Sequence, residues 1–159
     1  MKRKGILGKL TSFAGLREMI SGGVRRIMSP KESSEAPHLR TGRFGEKQAE
    51  KFLKKAGLKI IARNVQVGYD ELDLIAQQGE TLVFVEVKTR ANEDFGRPAA
   101  AVNQAKRRKL SRAAIHFLKK RKLRPPYIRF DVIEVIGEKP EIRHIQNAFT
   151  LEGGYRVWW

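Results

Sequence analysis

The stretch 81-TLVFVEVKTR-90 has the composition of a buried β-strand, yet it carries Glu86 and Lys88 near its end. Strand side chains alternate between the two faces of a sheet, so the three valines of the stretch should share one face. The other face should carry Leu82, Phe84, Glu86 and Lys88. An acid and an amine are therefore predicted side by side at the end of an apolar strand. A salt bridge is the ordinary explanation of such a pair, because short charged motifs arise by chance.

A second strand is predicted just before, at residues 71–76, ELDLIA, with QQGE as the hairpin turn between the two. Alternation places Glu71 and Asp73 on one of its faces and Leu72 and Leu74 on the other. If the two strands pair through this turn, Asp73 comes close to the acid and the amine of the following strand.

These charged groups form a coherent hydrolytic set. Asp73 and Glu86 would repel each other unless a cation lay between them, and carboxylates favour a hard ion such as Mg²⁺ or Mn²⁺. Such an ion can stabilise charge on a phosphate and activate a water molecule for phosphodiester hydrolysis. Lys88 could orient that water or stabilise the developing charge.

Hydrophobic periodicity and turn residues predict the remaining elements. The predicted helices are residues 43–56 and 99–121, and the further strands are residues 58–63, 127–136 and, after the turn GEKP, a short one at 141–146. The first helix should end at Gly57 and bury Ala49, Phe52, Leu53 and Ala56. The second should face inward with Val102, Leu110, Ala113 and Phe117. The order of helix, three strands, helix and strand predicts an α/β domain.

Composition limits the partners and the compartment. The 159 residues suffice for one ordinary domain, and the formal net charge of +16 points to a polyanion, with nucleic acid first and an anionic membrane surface second. The chain has no cysteine, which removes disulfides and thiolate metal sites and fits the reducing cytoplasm. His38, His116 and His144 are far apart in sequence, so a zinc site is not expected.

Residues 1–39 are predicted to form a basic arm and a linker outside the domain. Apolar residues recur in residues 1–28 at helical spacing among basic ones, which is typical of a frayed basic arm, a membrane-surface helix or a transit peptide. Residues 29–39, SPKESSEAPHL, have the composition of a linker. The domain itself is therefore expected to span residues 40–159.

Glu46 and Lys106 each allow two interpretations. Glu46 borders the apolar stripe of the first helix, and it either faces the sheet or simply suits the N-terminal end of the helix dipole. Lys106 lies within the inner arc of the second helix, where a lysine without a partner is costly. It either extends to the surface or points toward the carboxylates or a bound phosphate.

The second helix and its exit are rich in basic residues, and no acidic residue occurs between Asp94 and Asp131. Charge runs usually form a solvated face, but a run without counter-charges favours contacts with phosphates. The residues predicted to bind nucleic acid are Lys106, Arg107, Arg108, Lys109 and Arg112, together with Arg43 and Arg90. Contacts of this kind position a nucleic acid without reading its sequence.

Ordered blocks along the chain resemble a known family. GRFGEKQAEKFL, ARN, ELDLIA, FVEVKTR, FGRPAAAV, Lys106 and RFDVIEV resemble, in this order, the YraN family of uncharacterised bacterial proteins over about residues 40–149. That family resembles the restriction-endonuclease-like superfamily with PD-(D/E)xK sites, akin to Holliday-junction resolvases. The resemblance implies a restriction-endonuclease-like core, with a central mixed β-sheet flanked by helices.

The resemblance also implies roles for charged residues. Asp73 and Glu86 match metal-binding acids, and Lys88 matches a catalytic lysine. Glu46 matches a helical glutamate that would bind the ion or its water shell. The backbone carbonyl of Val87 would join the ion, which would be Mg²⁺ or Mn²⁺.

One position departs from the family pattern, since Asp70 stands where the family has glycine before the residue matched by Glu71. The expected function is a metal-dependent endonuclease acting on DNA rather than RNA, with branched or otherwise structured DNA as a candidate substrate. Kinship with junction resolvases implies a homodimer. The alternative is a nucleic-acid-binding module without catalysis.

Overall fold

The computed structural model describes residues 37–91 and 102–157, and in this part of the chain two helices flank one five-stranded sheet. The helices are α1, Pro37–Lys55, and α2, Gln104–Arg121; the strands are β1, Lys59–Val67, β2, Asp70–Gln78, β3, Thr81–Arg90, β4, Tyr127–Ile136, and β5, Glu141–Phe149. The predicted α/β architecture with a mixed sheet between helices is confirmed. Within the described ranges, no helix has the length and apolar character needed to cross a bilayer.

The strands lie in the order β1-β2-β3-β4-β5. Neighbouring strands are antiparallel except β3 and β4, which are parallel, and α2 lies in the crossover that a parallel pair requires. The C-terminal ends of β3 and β4 and the N-terminal end of β2 therefore meet at one end of the sheet. The acids and the amine predicted on β2 and β3 come to this end.

The hairpins that join β1 to β2 and β2 to β3 share one design. Gly68 and Gly79 take the first tip position with φ of 62° and 57°, which suits a two-residue hairpin. In each hairpin a glutamine side chain donates to the glycine carbonyl at 3.0 Å, from Gln66 in the first and from Gln77 in the second. The turn predicted at QQGE is confirmed.

Apolar cores lie on both faces of the sheet. Val83 and Val85 pack with Leu53 of α1, whereas Leu82 and Phe84 pack with the apolar side of α2. The alternation predicted for β3 is therefore confirmed. Leu53 is fully buried, so its truncation to alanine should cost about 2–5 kcal/mol.

The second helix begins later than predicted. It starts at Gln104 rather than at residue 99, because the Asn103 side chain caps it and accepts a hydrogen bond from the backbone N–H of Lys106 at 2.9 Å. Residues 99–101 of the predicted helix lie outside the described residues. The predicted end at residue 121 is confirmed.

The first helix begins earlier than predicted. It starts at Pro37, so residues 37–39 are helical and do not belong to a linker. The rest of the predicted arm and linker, residues 1–36, lies outside the described residues. Ala56, which we expected in the buried stripe, is exposed just after the end of the helix. The short strand predicted at residues 141–146 is confirmed and continues to Phe149.

Candidate active site

The alternation of β2 breaks at Asp73, the first acid of the predicted set. Leu72 packs in the core on the α2 side and Leu74 in the core on the α1 side, so the prediction that they share a face is wrong. On the neighbouring strand β1, Asn64 has a left-handed backbone conformation with φ of 46°, which disturbs the regular ladder. Pairing of β2 with β3 also stops at Leu74 and Val85. Asp73 therefore lies where β2 and β3 separate.

Asp73 supplies a hydrogen-bond acceptor at this separation. Its Oδ2 accepts from the backbone N–H of Val87 at 2.8 Å. Burial first, and then the charge of Glu86, raises the pKa of Asp73 to about 7, although Val87 N–H and Lys106 act in the opposite direction. The two carboxylates of β2 and β3 thus share a region in which their negative charge is incompletely balanced.

Glu86 is almost fully buried, with a side chain that is 2% exposed. Its Oε1 lies 2.7 Å from Lys88 Nζ and 3.0 Å from Lys106 Nζ. Of the two interpretations of Lys106, the structure thus shows the one in which the amine points toward the carboxylates. In the part of the chain that the structure describes, Glu86 Oε2 is buried and has no hydrogen-bond partner. Such an orphaned oxygen costs free energy, so the site can accept one further cation or donor.

A cleft of about 470 Å³ opens onto these groups. Its lining comes from α1 and from β2 and β3: Thr41, Gly42, Glu46, Asp73, Glu86, Val87, Lys88 and Thr89. The five residues predicted to be catalytic or to bind metal all line this one cavity. Lys106 is not part of the lining and reaches Glu86 from α2.

Glu46 is carried into the cleft by α1 and is held there by β1. Its Oε2 accepts a hydrogen bond from Asn64 Nδ2 at 2.8 Å. Burial raises the pKa of Glu46, and the Asn64 hydrogen bond partly offsets the rise. One turn further along, the hydrogen bonds from Arg63 lower the pKa of Glu50 to about 2. Arg63 and Asn64 were not predicted to act in the site, although they form part of the ARN block.

The approach of α1 to β3 depends on a glycine. A Cβ added to Gly45 would lie 1.8 Å from Thr89 Oγ1 and 3.1 Å from Thr89 Cβ. Threonine is branched at Cβ and has few rotamers, so it cannot easily move aside. Because Glu46 follows directly, this contact sets where the Glu46 carboxylate enters the cleft.

Asp131, an acid of β4 that we did not predict to matter, lies 1% exposed beneath α1. It accepts two hydrogen bonds from Arg129 at 2.8 and 2.9 Å and one from the backbone N–H of Asn147 at 2.9 Å, and it lies 2.8 Å from His144 Nε2. Burial alone would raise the pKa of Asp131, but the hydrogen bonds outweigh burial and lower it. Asp131 therefore ties β4 to β5.

Glu134, also on β4, is a second buried acid that sequence reasoning missed. It is 2% exposed, it lies beside Lys88 in the register of β3 and β4, and its Oε1 is 3.4 Å from Arg90 Nη2. Arg90, predicted to bind nucleic acid, is thus engaged by a buried carboxylate. A charged residue inside an apolar strand was the signal that identified Glu86, and the same signal was present in RFDVIEV.

The basic residues of α2 have more acidic partners than predicted. Arg107 Nε lies 2.8 Å from Glu152 Oε1, and Arg112 donates to both oxygens of Asp70 at 2.8 and 2.9 Å. The prediction that this run lacks counter-charges is therefore wrong for these residues, because the acids come from distant parts of the chain. Asp70, the residue that departs from the family pattern, fastens the start of β2 to α2.

The other residues predicted to contact nucleic acid differ in exposure and in their charged neighbours. Arg108 and Lys109 are exposed on α2. Arg43 lies near enough to Glu46 to lower the pKa of its carboxyl against the effect of burial. The exposed cations Arg108 and Lys109 thus belong to the same helix as Lys106, which reaches Glu86.

The oxygen atoms of the cleft fit a hard divalent cation. Within residues 37–91 and 102–157, no three His, Asp or Glu side chains converge into a ready-made metal site. Mg²⁺, however, commonly binds through one or two carboxylates and keeps several waters. Asp73 and Glu86 both line the cleft and are carboxylates of this kind, and the orphaned Glu86 Oε2 is suited to receive positive charge.

A family model described as Uncharacterised protein family UPF0102 matches residues 45–135, which is more than half of the chain and includes Glu46, Asp73, Glu86 and Lys88. The chain belongs to the UPF0102 family. A UPF0102 protein of Symbiobacterium thermophilum is 49% identical over 113 residues, covering 69% of this chain and 96% of the relative. A UPF0102 protein of Geotalea daltonii is 45% identical over 113 residues, covering 69% and 89% of the two chains.

The UPF0102 relatives confirm the resemblance to YraN proteins at the level of the family. Among solved structures, that of SSO0001 aligns with 72% of this chain and 55% of its own chain, at 14% identity and a TM-score of 0.37. A similarity this low informs neither the fold nor the function of the UPF0102 protein.

Proposed function

We propose that this UPF0102 protein is a divalent-metal-dependent nuclease that hydrolyses phosphodiester bonds in DNA. The observation that carries the proposal is that Asp73 and Glu86, from adjacent strands, meet at one cleft while Glu86 Oε2 has no partner within the described residues. A structural salt bridge would account for the two lysines on Glu86 Oε1. It would not account for a second acid beside Glu86, half-buried Asp73, whose pKa is raised first by burial and then by the charge of Glu86.

Different residues of the cleft would have different roles in hydrolysis. Asp73, Glu86 and the Val87 carbonyl would hold Mg²⁺ or Mn²⁺, which when bound stabilises phosphate charge and lowers the pKa of a water. Lys88 lines the cleft, and its amine donates to the attacking water or to a phosphate oxygen. Glu46, held by Asn64, would accept a hydrogen bond from a water in the cleft.

Charge supports DNA as the substrate. The net charge of +16 and the exposed Arg108 and Lys109 favour contacts with a phosphate backbone. The resemblance to junction resolvases favours branched or otherwise structured DNA. Binding should therefore weaken steeply as the salt concentration rises.

A cleavage screen tests the proposal. Full-length protein is incubated with duplex, forked and four-way-junction DNA in the presence of Mg²⁺, Mn²⁺ or EDTA. We expect cleavage with either metal and none with EDTA. Asp73→Asn and Glu86→Gln should abolish cleavage while salt-dependent binding persists in fluorescence anisotropy. Glu80→Gln removes an exposed acid at the opposite end of β3 and should cleave like the wild type.

A nucleic-acid-binding module without catalysis is the second candidate. The observation that favours it is that Lys88 and Lys106 both pair with Glu86 Oε1, so the cluster is partly neutralised by the chain itself. If the wild type binds DNA but cleaves none of the substrates with either metal, this second function replaces the first.

A further inference from the structure

We propose that Tyr69, at the tip of the β1–β2 hairpin, is a stacking platform for an unpaired base of the DNA that enters the cleft. The inference rests on the proposed function, because it adds a base-binding position to the same site. It narrows the substrate class to DNA with single-stranded bases close to the point of cleavage.

The exposure of Tyr69 is extreme, at 104% of the reference value. Single exposed apolar side chains are common on protein surfaces, so exposure alone does not indicate a function. The tyrosine ring, however, offers a large flat face to solvent and makes no contribution to either core. A role for this residue would therefore come from the turn itself or from a partner.

The turn does not require an aromatic residue, as the neighbouring hairpin shows. In the β2–β3 hairpin, Gly79 occupies the position of Gly68 and Glu80 occupies the position of Tyr69. The two turns share a positive-φ glycine and a glutamine that bonds to it. Glycine and glutamine therefore define the turn, and the residue after the glycine is free to serve another purpose.

Tyr69 lies at the same end of the sheet as the cleft. β2 begins at Asp70 and reaches Asp73 after three residues. With a rise of about 3.3 Å per residue, the tip lies about 13 Å from Asp73 along the strand. This distance corresponds to no more than about four stacked nucleotides at 3.4 Å each. A base on Tyr69 would therefore belong to the same strand segment as a phosphate in the cleft.

Positive charge borders the tip. Asp70, the next residue, is held by two hydrogen bonds from Arg112, and these bonds lower its pKa, as do the nearby charges of Lys109 and Lys106. The basic face of α2 therefore lies beside the tyrosine, and the ion pair fixes the tip against the helix. Sites for single-stranded nucleic acid combine a cationic track with an aromatic face. This charge favours an unpaired base over an apolar partner.

Fluorescence anisotropy of full-length protein with EDTA present tests the inference without cleavage. The probes are a forked DNA with unpaired arms and a blunt duplex of equal length. Tyr69→Ala should weaken binding to the fork roughly 5- to 100-fold and leave the duplex affinity unchanged. Tyr69→Phe keeps the ring and should bind like the wild type. Tyr127→Ala is the matched control, because Tyr127 is 64% exposed and pairs with Thr81 at the far end of the sheet.

Each alternative result decides against the inference. If Tyr69→Ala binds the fork like the wild type, or loses equal affinity for fork and duplex, the stacking role is wrong. Thermal unfolding should be the same for Tyr69→Ala and the wild type, since the side chain is outside both cores, and a lowered midpoint also counts against the role. These results leave the nuclease proposal standing wherever the wild type cleaves. A wild type that binds neither DNA overturns both proposals.

Discussion

The backbone N–H of Val87 donates a hydrogen bond to Asp73 Oδ2 at 2.8 Å, so a side chain supplies an acceptor where β2 and β3 part. The Asp73 carboxylate thereby accepts a hydrogen bond from the backbone of β3 while it remains close to Glu86, whose charge repels it. The fold therefore places two mutually repelling carboxylates at a position suited to a cation. Destabilising charge repulsion of this kind is typical of functional sites, where activity requires an arrangement that lowers stability.

Asp73→Asn should stabilise the protein at pH 8 by about 1–3 kcal/mol, because it removes the repulsion and keeps an oxygen for Val87 N–H. The pKa of Asp73 is about 7 in the folded state, above its ordinary value of 3.8. Wild-type stability therefore falls as the pH rises from 3.8 to 7, and the loss is complete above 7. In urea unfolding, the difference in free energy of unfolding between variant and wild type should be largest at pH 8 and should disappear toward pH 4. Equal stabilities at pH 8 would contradict the charge argument.

Lys106→Met should destabilise the metal-free protein by about 1–3 kcal/mol. The reason is that buried Glu86 pairs with two amines, those of Lys88 and Lys106, and the variant retains only Lys88. Added Mg²⁺ or Mn²⁺ should raise the melting temperature more in this variant than in the wild type, since a bound cation replaces the lost ammonium. Differential scanning fluorimetry measures both effects. Lys109→Met, on an exposed position of the same helix, should match the wild type in both. A smaller metal response in Lys106→Met would contradict metal binding at Glu86.

Gly45→Ala should lower the free energy of unfolding by about 1–3 kcal/mol, because the new methyl group meets Thr89. Thr89→Ala in the same chain removes Oγ1 and should recover much of the loss, which a double-mutant cycle from denaturant unfolding would measure. Gly42→Ala is the matched control, since nothing lies within 4 Å of its added Cβ. That variant should be more stable by about 0.5–1 kcal/mol through helix propensity. A Gly45→Ala protein as stable as Gly42→Ala would show that α1 can move away from β3 freely.

The features predicted from sequence are those that depend on local periodicity. The two faces of β3 follow from the alternation of its side chains along the strand. The convergence of Asp73 with Glu86 follows from the short turn that pairs β2 with β3. The features that were missed depend on residues remote in sequence. The face change between Leu72 and Leu74 accompanies the left-handed Asn64 on a different strand.

Ion pairs were the hardest features to predict for the same reason. Arg112 and Asp70 are 42 residues apart, so a local count of charges left the helix without counter-charges. The N-terminal limit of α2 was missed because the apolar run at residues 99–102, AAAV, continues upstream, whereas the cap depends on one side chain, Asn103. Periodicity therefore locates elements and their faces, and side-chain caps and remote ion pairs require coordinates.

Asp131→Asn should destabilise the protein by about 2–4 kcal/mol at pH 7, because it breaks the ion pair of a fully buried carboxylate and leaves the half-buried Arg129 guanidinium without its partner. The pKa of Asp131 is lowered in the folded state, so its contribution is present above the ordinary value of 3.8 and is lost as the pH falls through the folded value. The difference between wild type and variant should therefore shrink in unfolding experiments below pH 3.8. Glu141→Gln breaks an exposed pair with Arg143 and should change stability by less than about 1 kcal/mol. An Asp131→Asn deficit that stays constant into acid would mean that packing, and not charge, holds β4 to β5.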